Sequence, residues 1–243
     1  MDLDNLKLIL EHGTTINTSG TTGEPKSITQ TPEKMKFADE IAIDSQQLTK
    51  NSKIYTVCKI QHAGGLLAQT LPAYSIGARI DIESFNAYEF VKKVSNYSHT
   101  HITPYHAKAI LMTKNFYSLD LSKVWVSIGA DPVEWFVIEA FVKQGATVMS
   151  NWGMSEIGPV AINTVFRSVQ DVEDAKEERT YDDFTNVVAA EILPWDLAKL
   201  RKGEEYEIKL MFKKPGLYYI NLYRDFKEET VKGEFTSKGK MQA

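Results

Sequence analysis

Apolar residues along the first 165 or so positions follow two alternating rhythms. Ile54–Ile60 (IYTVCKI), His99–Thr103, Lys123–Ile128 and Ala146–Ser150 are short apolar or β-branched runs, which predicts buried strands, with a shorter strand at Arg79–Ile82. Between them the spacing changes to three and four. Met35, Ala38, Ile41, Ala42 and Ser45 fall on one helical face, behind Thr31 as N-cap and Pro32 in the first turn. Further helices are predicted over Leu66–Tyr74, interrupted or kinked near Pro72, over Ala87–Val94 with Phe90, Val91 and Val94 inward, from Pro104 through Met112, and over Pro132–Lys143. Asn5–Glu11 fits a short helix or a strand equally, and Thr14–Thr18 reads as a strand. Strands alternating with helices imply an α/β layer: a largely parallel sheet flanked by helices.

The rhythm changes after Phe166. Residues 167–186 hold seven acids against Arg167, Lys176 and Arg179, a solvated acidic loop or exposed helix. Val187–Leu193, Glu205–Phe212 and Leu217–Tyr223 then read as strands separated by Gly and Pro. The expected organisation is an α/β subdomain over 1–166 and a small β-rich subdomain, barrel-like and distorted, over 167–243.

Composition narrows the class. The chain has 243 residues, 43% apolar and 25% charged, as an ordinary globular protein does. Its net charge of −4 supplies no basic field for nucleic acid or an anionic membrane. Cys58, the single cysteine, lies in an apolar run and reads as a small core residue, which excludes an internal disulfide and a cysteine-rich metal site. The opening MDLDNLKLILEHG lacks the basic and apolar regions of a signal peptide, and no segment approaches a membrane span. A cytoplasmic location is expected.

Two stretches carry candidate chemistry. Thr18-Ser-Gly-Thr-Thr-Gly-Glu-Pro-Lys26 combines hydroxyls, two glycines and a lysine. Glycines let the backbone turn so that amide N–H groups point at an anion, Thr18, Ser19, Thr21 and Thr22 add donors, and Lys26 adds a mobile positive charge. That makes a phosphate cradle, although Pro25 stands where the Walker pattern needs glycine, and residue types alone also fit an ordinary surface loop. The loop is expected to join a strand to the helix that starts at Pro32. Asn151-Trp-Gly-Met-Ser-Glu156 is expected directly after a strand, where ligands gather in open α/β sheets. There an aromatic (Trp152) can stack on a base, a hydroxyl (Ser155) can donate to phosphate and a carboxylate (Glu156) can hold Mg2+. A plain strand end with one buried aromatic is an equal reading of the same residues.

Both stretches resemble signatures of the adenylate-forming superfamily: acyl-CoA synthetases, luciferases and peptide-synthetase adenylation domains. Thr18–Lys26 is similar to the phosphate-binding signature over its whole length. Asn151–Glu156 is similar to the Tyr-Gly-x-Thr-Glu signature, with Trp for Tyr and Ser for Thr. His62 with Gly64 and Gly65 resembles the histidine segment beside the acyl pocket, and Gly129-Ala-Asp-Pro132 resembles the turn along the adenine. The resemblance runs from about Thr14 to Gly239 and covers part of the family's large N-terminal domain. It departs from the pattern at Gly239, which stands where the ribose-binding aspartate would fall. Losing that charged hydrogen bond costs about 1.5–3 kcal/mol, or about ten- to a hundredfold in affinity. The family's mobile C-terminal domain, with its lysine, and the segment preceding the phosphate loop have no counterpart in the sequence. Self-association or a partner chain is therefore expected to cover one side of the layer.

The resemblance implies ATP and Mg2+ as cofactors, with CoA as a candidate acceptor, and a small carboxylate as substrate. Lys26 with Thr18, Ser19, Gly20, Thr21, Thr22 and Gly23 would hold the departing phosphates. Ser155 would touch the α-phosphate and Glu156 would hold Mg2+. Trp152, with Gly129 and Ala130, would flank the adenine beside Asn151 and Gly153, and His62 and Gly65 would border the acyl site. Two activities compete: a minimal AMP-forming ligase, and a nucleotide- or acyl-adenylate-binding module that needs a partner chain. His99, His101 and His106 are spaced as strand and helix-start residues, with no carboxylate or cysteine to complete a metal set.

Overall fold

In the computed structural model, placement is described for residues 3–18, 26–155, 158–178, 187–193, 205–212, 218–220, 229–231 and 234–240. The chain divides into two compact units, Met1–Val169 and Gln170–Ala243. The first unit is built on a six-stranded sheet in the order β4 (Arg79–Ile82), β3 (Lys53–Thr56), β5 (His99–Ile102), β6 (Trp125–Ile128), β7 (Thr147–Met154), β8 (Gly158–Phe166). The first four pairings are parallel and β7–β8 is antiparallel. Every residue of β5 and β6 is buried, as a central strand covered on both faces requires. The largely parallel sheet expected from the sequence is present.

The helices that flank it take the expected faces. In α2 (Pro32–Ser45) Met35, Ala38 and Ala42 are buried, Thr31 Oγ1 accepts from Lys34 N, and Pro32 opens the first turn. In α5 (Ala87–Lys93) Phe90 and Val91 are buried, with Val94 just beyond the last turn. The ambiguous first segment is a helix, α1 (Leu3–His12), because Leu6 and Ile9 enter a core shared with Ile16, Met35, Leu67 and Leu71. α6 (Pro104–Leu111) and α7 (Trp135–Lys143) complete the layer, α7 starting three residues later than its sequence pattern.

Three elements differ from the sequence reading. First, residues Lys26–Gln30 form β2, antiparallel to β1 (Thr14–Thr18), so the candidate phosphate loop closes a hairpin and does not join a strand to a helix. The opposed pairs Ile16–Ile28 and Thr15–Thr29 supply the β-branched cross-strand contacts that favour it. Second, the strand that starts at Lys53 stops at Thr56, and β7 runs on through Met154 because β8 pairs with Asn151 and Trp152. The register shifts between Trp152 and Met154, a bulge of the kind that redirects side chains at a sheet edge. Third, no simple kink at Pro72 breaks the helix after His62. It runs as α3 (Ala63–Gly65), a π-helical stretch Leu66–Thr70, and α4 (Leu71–Ser75), with Pro72 in the first turn of α4.

A buried polar network holds that π-helical stretch. Gln46 Nε2 donates to the carbonyls of Ala42 and Ala68, 3.0 and 2.6 Å away. Gln69 Nε2 donates to Gln46 Oε1 (2.8 Å), and Ser127 Oγ donates to the same oxygen (2.6 Å). Thr70 Oγ1 donates to the Gly65 carbonyl at 2.7 Å and lies 2.9 Å from Thr56 Oγ1. The Ala68 carbonyl, whose α-helical donor would be the N–H that Pro72 lacks, is taken by Gln46, and the Gly65 carbonyl accepts from Thr70 Oγ1.

The second unit contains α8 (Val169–Glu178) at its start, within the acidic stretch. It also holds a three-stranded antiparallel sheet, β13 (Glu234–Lys240), β10 (Glu205–Phe212), β9 (Val187–Leu193). β11 (Tyr218–Ile220) pairs with β12 (Glu229–Val231), so β11 is shorter than expected. Gly239 lies in β13 opposite Tyr206. Among the described residues no helix is long and apolar enough to cross a membrane.

Two stability outcomes follow. Gln46→Ala removes an acceptor shared by two buried donors, and is expected to lower unfolding free energy by about 2–4 kcal/mol, read as a denaturant midpoint shift at constant slope. Asp39, buried in α2 with Oδ1 unpaired, has its carboxyl pushed up to about 8, first by burial and then by Glu40. The folded state thus keeps a proton that the unfolded chain loses above its ordinary value of 3.8, so this contribution falls away as pH rises from about 4 through about 8. Asp39→Asn is expected to flatten that decline in melting temperatures taken across the same range.

Candidate functional site

The carboxyl ends of β3, β5, β6 and β7 face a cleft with two connected lobes, the place an open α/β sheet offers a ligand. The smaller lobe, about 290 Å³, is lined by Asn17 from the hairpin, by His62, Ala63 and Gly64, by His101 and Ala130, and by Asn151, Gly153 and Ser155. The larger, about 640 Å³, runs from Cys58 and Lys59 past Phe85 to His106 and includes Gly65. His62, Gly64, His101 and Ala130 line both.

The hairpin reaches this place through buried contacts. Ile16 is 2% exposed and enters the core, which turns its neighbour Asn17 toward the lobe. Ser27 Oγ donates to Asn17 Oδ1 at 2.8 Å and holds that side chain across the two strands. Gln30, at the end of β2 and 2% exposed, donates from Nε2 to the Ser155 carbonyl. That bond ties the second strand of the hairpin to the far end of β7.

Five of the residues singled out in the sequence meet in the smaller lobe: His62, Ala130, Asn151, Gly153 and Ser155. Gly65 joins His62 in the larger one. Gly129 and Trp152 line neither lobe; Trp152 sits in β7 opposite Ile162, half-buried. Gly129 acts from behind. A Cβ there would stand 2.5 Å from Asn151 Nδ2, so only glycine leaves room for the Asn151 amide. The backbones of Thr18 and Lys26 are paired at the mouth of the hairpin. Ser19, Gly20, Thr21, Thr22, Gly23 and Glu156 lie outside the described residues, as do the side chains of Thr18 and Lys26.

The lobe contains polar atoms without partners. Asn151 Nδ2 donates to the Pro159 carbonyl at 2.7 Å, but Asn151 Oδ1 is buried and unpaired. An acceptor left this way usually has a ligand or water to satisfy it. Ala130 adopts φ +81°, a strained value for a residue with a Cβ, directly where the two lobes meet. A purine's exocyclic amine would satisfy Asn151 Oδ1, and Ala130 and Gly153 line the same lobe beside it, so these residues fit a nucleotide.

The wall of the larger lobe is uncharged near His101. Burial, with help from His106, pushes the His101 imidazole down to about 4, and burial also lowers His106. Cys58 is pushed up to about 12 by burial, so it is a thiol, and its Sγ donates to the His101 carbonyl at 3.2 Å. His99, two positions earlier in the same strand, is already paired: its Nε2 meets the Gln46 carbonyl at 3.0 Å and its Nδ1 meets Ser98 Oγ at 2.8 Å. Asn17, Gln30 and His101 carried no motif in the sequence.

The chain matches the AMP-binding enzyme family over residues 14–217. It is 27% identical over 149 residues to an indoleacetate–CoA ligase of Aromatoleum aromaticum, a stretch that is 59% of this chain and 29% of the ligase. The inhibitor-bound N-terminal domain of FACL13 from Mycobacterium tuberculosis superposes with a TM-score of 0.60 at 17% identity, covering 82% of this chain and 49% of that one. ATP-bound MatB from Rhodopseudomonas palustris superposes at 0.58 with 14% identity, covering 83% and 40%. The chain thus spans less than half the length of each of these proteins. On the extent of the family match, and with the fold shared by the solved structures, the chain belongs to the AMP-binding enzyme family.

Proposed function

We propose that the chain binds ATP with Mg2+ and joins a small carboxylic acid to AMP. The observation that carries this reading is the convergence of Asn17, Asn151, Gly153 and Ser155 with His62, Gly64 and Ala130 on one two-lobed cleft. The smaller lobe would take the nucleotide and the larger lobe the acid.

In this reading the acid's carboxylate oxygen attacks the α-phosphorus, the bond to the β,γ-phosphates breaks, and pyrophosphate leaves with the electron pair. Transfers of this kind depend on positioning and charge neutralisation, with little covalent help from the protein. Asn151 Oδ1 would accept from the adenine amine, and Ala130 with the backbone at Gly129 would border the base. Trp152 lines neither lobe, so its part would be to hold Asn151 and Gly153 in place. Ser155 Oγ would donate to the α-phosphate. The hydroxyls and amides of Thr18–Gly23, with Lys26, would neutralise the leaving group, and Glu156 would hold Mg2+, which shares that neutralisation when bound. The hairpin contact from Gln30 to Ser155 supports this assignment, since it fixes the strand that follows the loop against the segment that precedes Glu156. His62 and Gly65 would border the acid. CoA as acceptor, and a cytoplasmic setting, belong to the same proposal.

A second reading of the same cleft is a nucleotide- or adenylate-binding module completed by a partner chain. Calorimetric titration of ATP and Mg2+ is expected to show binding that weakens about tenfold or more, near 1.4 kcal/mol, in Lys26→Ala, Glu156→Ala and Asn151→Ala. Absence of heat at millimolar ATP, or variants indistinguishable from wild type, would overturn both readings. Pyrophosphate exchange that depends on added acid and on Lys26 is the expected sign of the ligase; ATP binding without exchange selects the binding module.

A further inference from the structure

The buried group that the proposed reaction leaves unused is the His101 imidazole. Its Nδ1 is buried without a hydrogen-bond partner, and among the described residues its Nε2 has none either. Nε2 lies 3.2 Å from the point that a Cβ on Gly64 would occupy. Gly64 lines both lobes, so its missing side chain leaves that edge of the imidazole open to the cleft. Farther into the larger lobe, Phe85 and His106 stack face to face, with centroids 3.9 Å apart and planes 15° off parallel. They form a flat wall beside the aliphatic side chains of Val57 and Ile82.

We propose that His101 reads a neutral hydrogen-bonding group on the acid, and that the acid is a planar aromatic carboxylate bearing a hydroxyl or aromatic amine next to its carboxyl. This rests on the reading of the larger lobe as the acid's site. A flat ring matches the Phe85–His106 wall. The position of His101, where the lobes join, puts its partner near the carboxyl end and not at the far end of the ring. A neutral imidazole is one donor and one acceptor, so it pairs with O–H or N–H and gives no charge to a second carboxylate. Because the imidazole is buried and unpaired, an acid lacking the group leaves it so, which penalises that acid beyond the loss of one hydrogen bond. The Cys58 thiol, bonded to the His101 carbonyl, keeps the strand end in place without adding charge.

The test is titration of 2-hydroxybenzoate, 2-aminobenzoate and benzoate into the full chain, once alone and once with Mg2+ and α,β-methylene-ATP, whose own binding is measured separately. In wild type the substituted acids are expected to bind about tenfold or more tightly than benzoate. His101→Phe is expected to shrink the preference of the substituted acids over benzoate to less than about threefold, and His101→Gln to restore part of it. The imidazole nitrogens of wild-type His101, followed by 15N NMR, are expected to shift with the substituted acids and not with benzoate, which tests the contact without any variant. Equal binding of the three acids, or a preference that survives in His101→Phe with no nitrogen shift, would overturn the inference and leave the ligase reading standing. Binding of the ATP analogue with no acid bound would overturn it too, leaving nucleotide binding in place. Failure of both nucleotide and acids would remove the two together.

Discussion

The cleft depends on a buried amide. Gln46, at the end of α2, bonds through one side chain to four groups from its own helix, the π-helical stretch and strand β6. With that amide in place, the Ala68 carbonyl within Leu66–Thr70 has its partner, and the chain just before that stretch is set. That chain is His62–Gly65, which crosses the mouth of both lobes. A fully apolar core would remove the hydrogen bonds that the carbonyls of Ala68 and Gly65 accept from Gln46 and Thr70, each contributing about 0.5–1.5 kcal/mol. The polar network therefore supports an irregular helix, and the irregular helix shapes the site.

A second constraint comes from the edge of the sheet. β8 runs antiparallel to β7 and prolongs it by four residues past Ser150, to Met154. Asn151, Gly153 and Ser155 thereby stand on or beside a paired strand, not in a free loop, and strand alternation keeps Trp152 out of the lobe lining. The hairpin docks onto this edge through Gln30. The Gln30–Ser155 hydrogen bond thus brings together residues 125 positions apart. Within the lobe itself Asn151 Oδ1 and His101 are left unpaired, as a site that awaits polar ligands would leave them.

Much of this was legible from the chain alone. The spacing of Met35, Ala38 and Ala42 placed the buried face of α2, and the β-branched runs at His99 and Lys123 placed two central strands. The two signature stretches pointed to phosphate and to an aromatic-bordered strand end, and the family follows from them. Legibility failed where a partner distant in sequence chose the conformation. Lys26–Gln30 is too short and polar to announce a strand, and it becomes one because Thr14–Thr18 lies opposite. Gly158–Phe166 begins with Gly-Pro, which reads as a turn, yet β7 pairs with it along most of its length.

The sequence by itself determined the alternation of strands and helices, their inward faces and the chemistry available, because each depends on the spacing of neighbouring residues. Only the tertiary structure decided that Thr18 and Lys26 are paired across a hairpin and that Trp152 lines neither lobe. It alone decided that His101 is an unpaired imidazole at the junction of two cavities, since Gly64, 37 positions earlier, leaves the space beside it. Whether a polar side chain is satisfied depends on every group packed around it, and those groups come from separate elements that meet only when the sheet has formed.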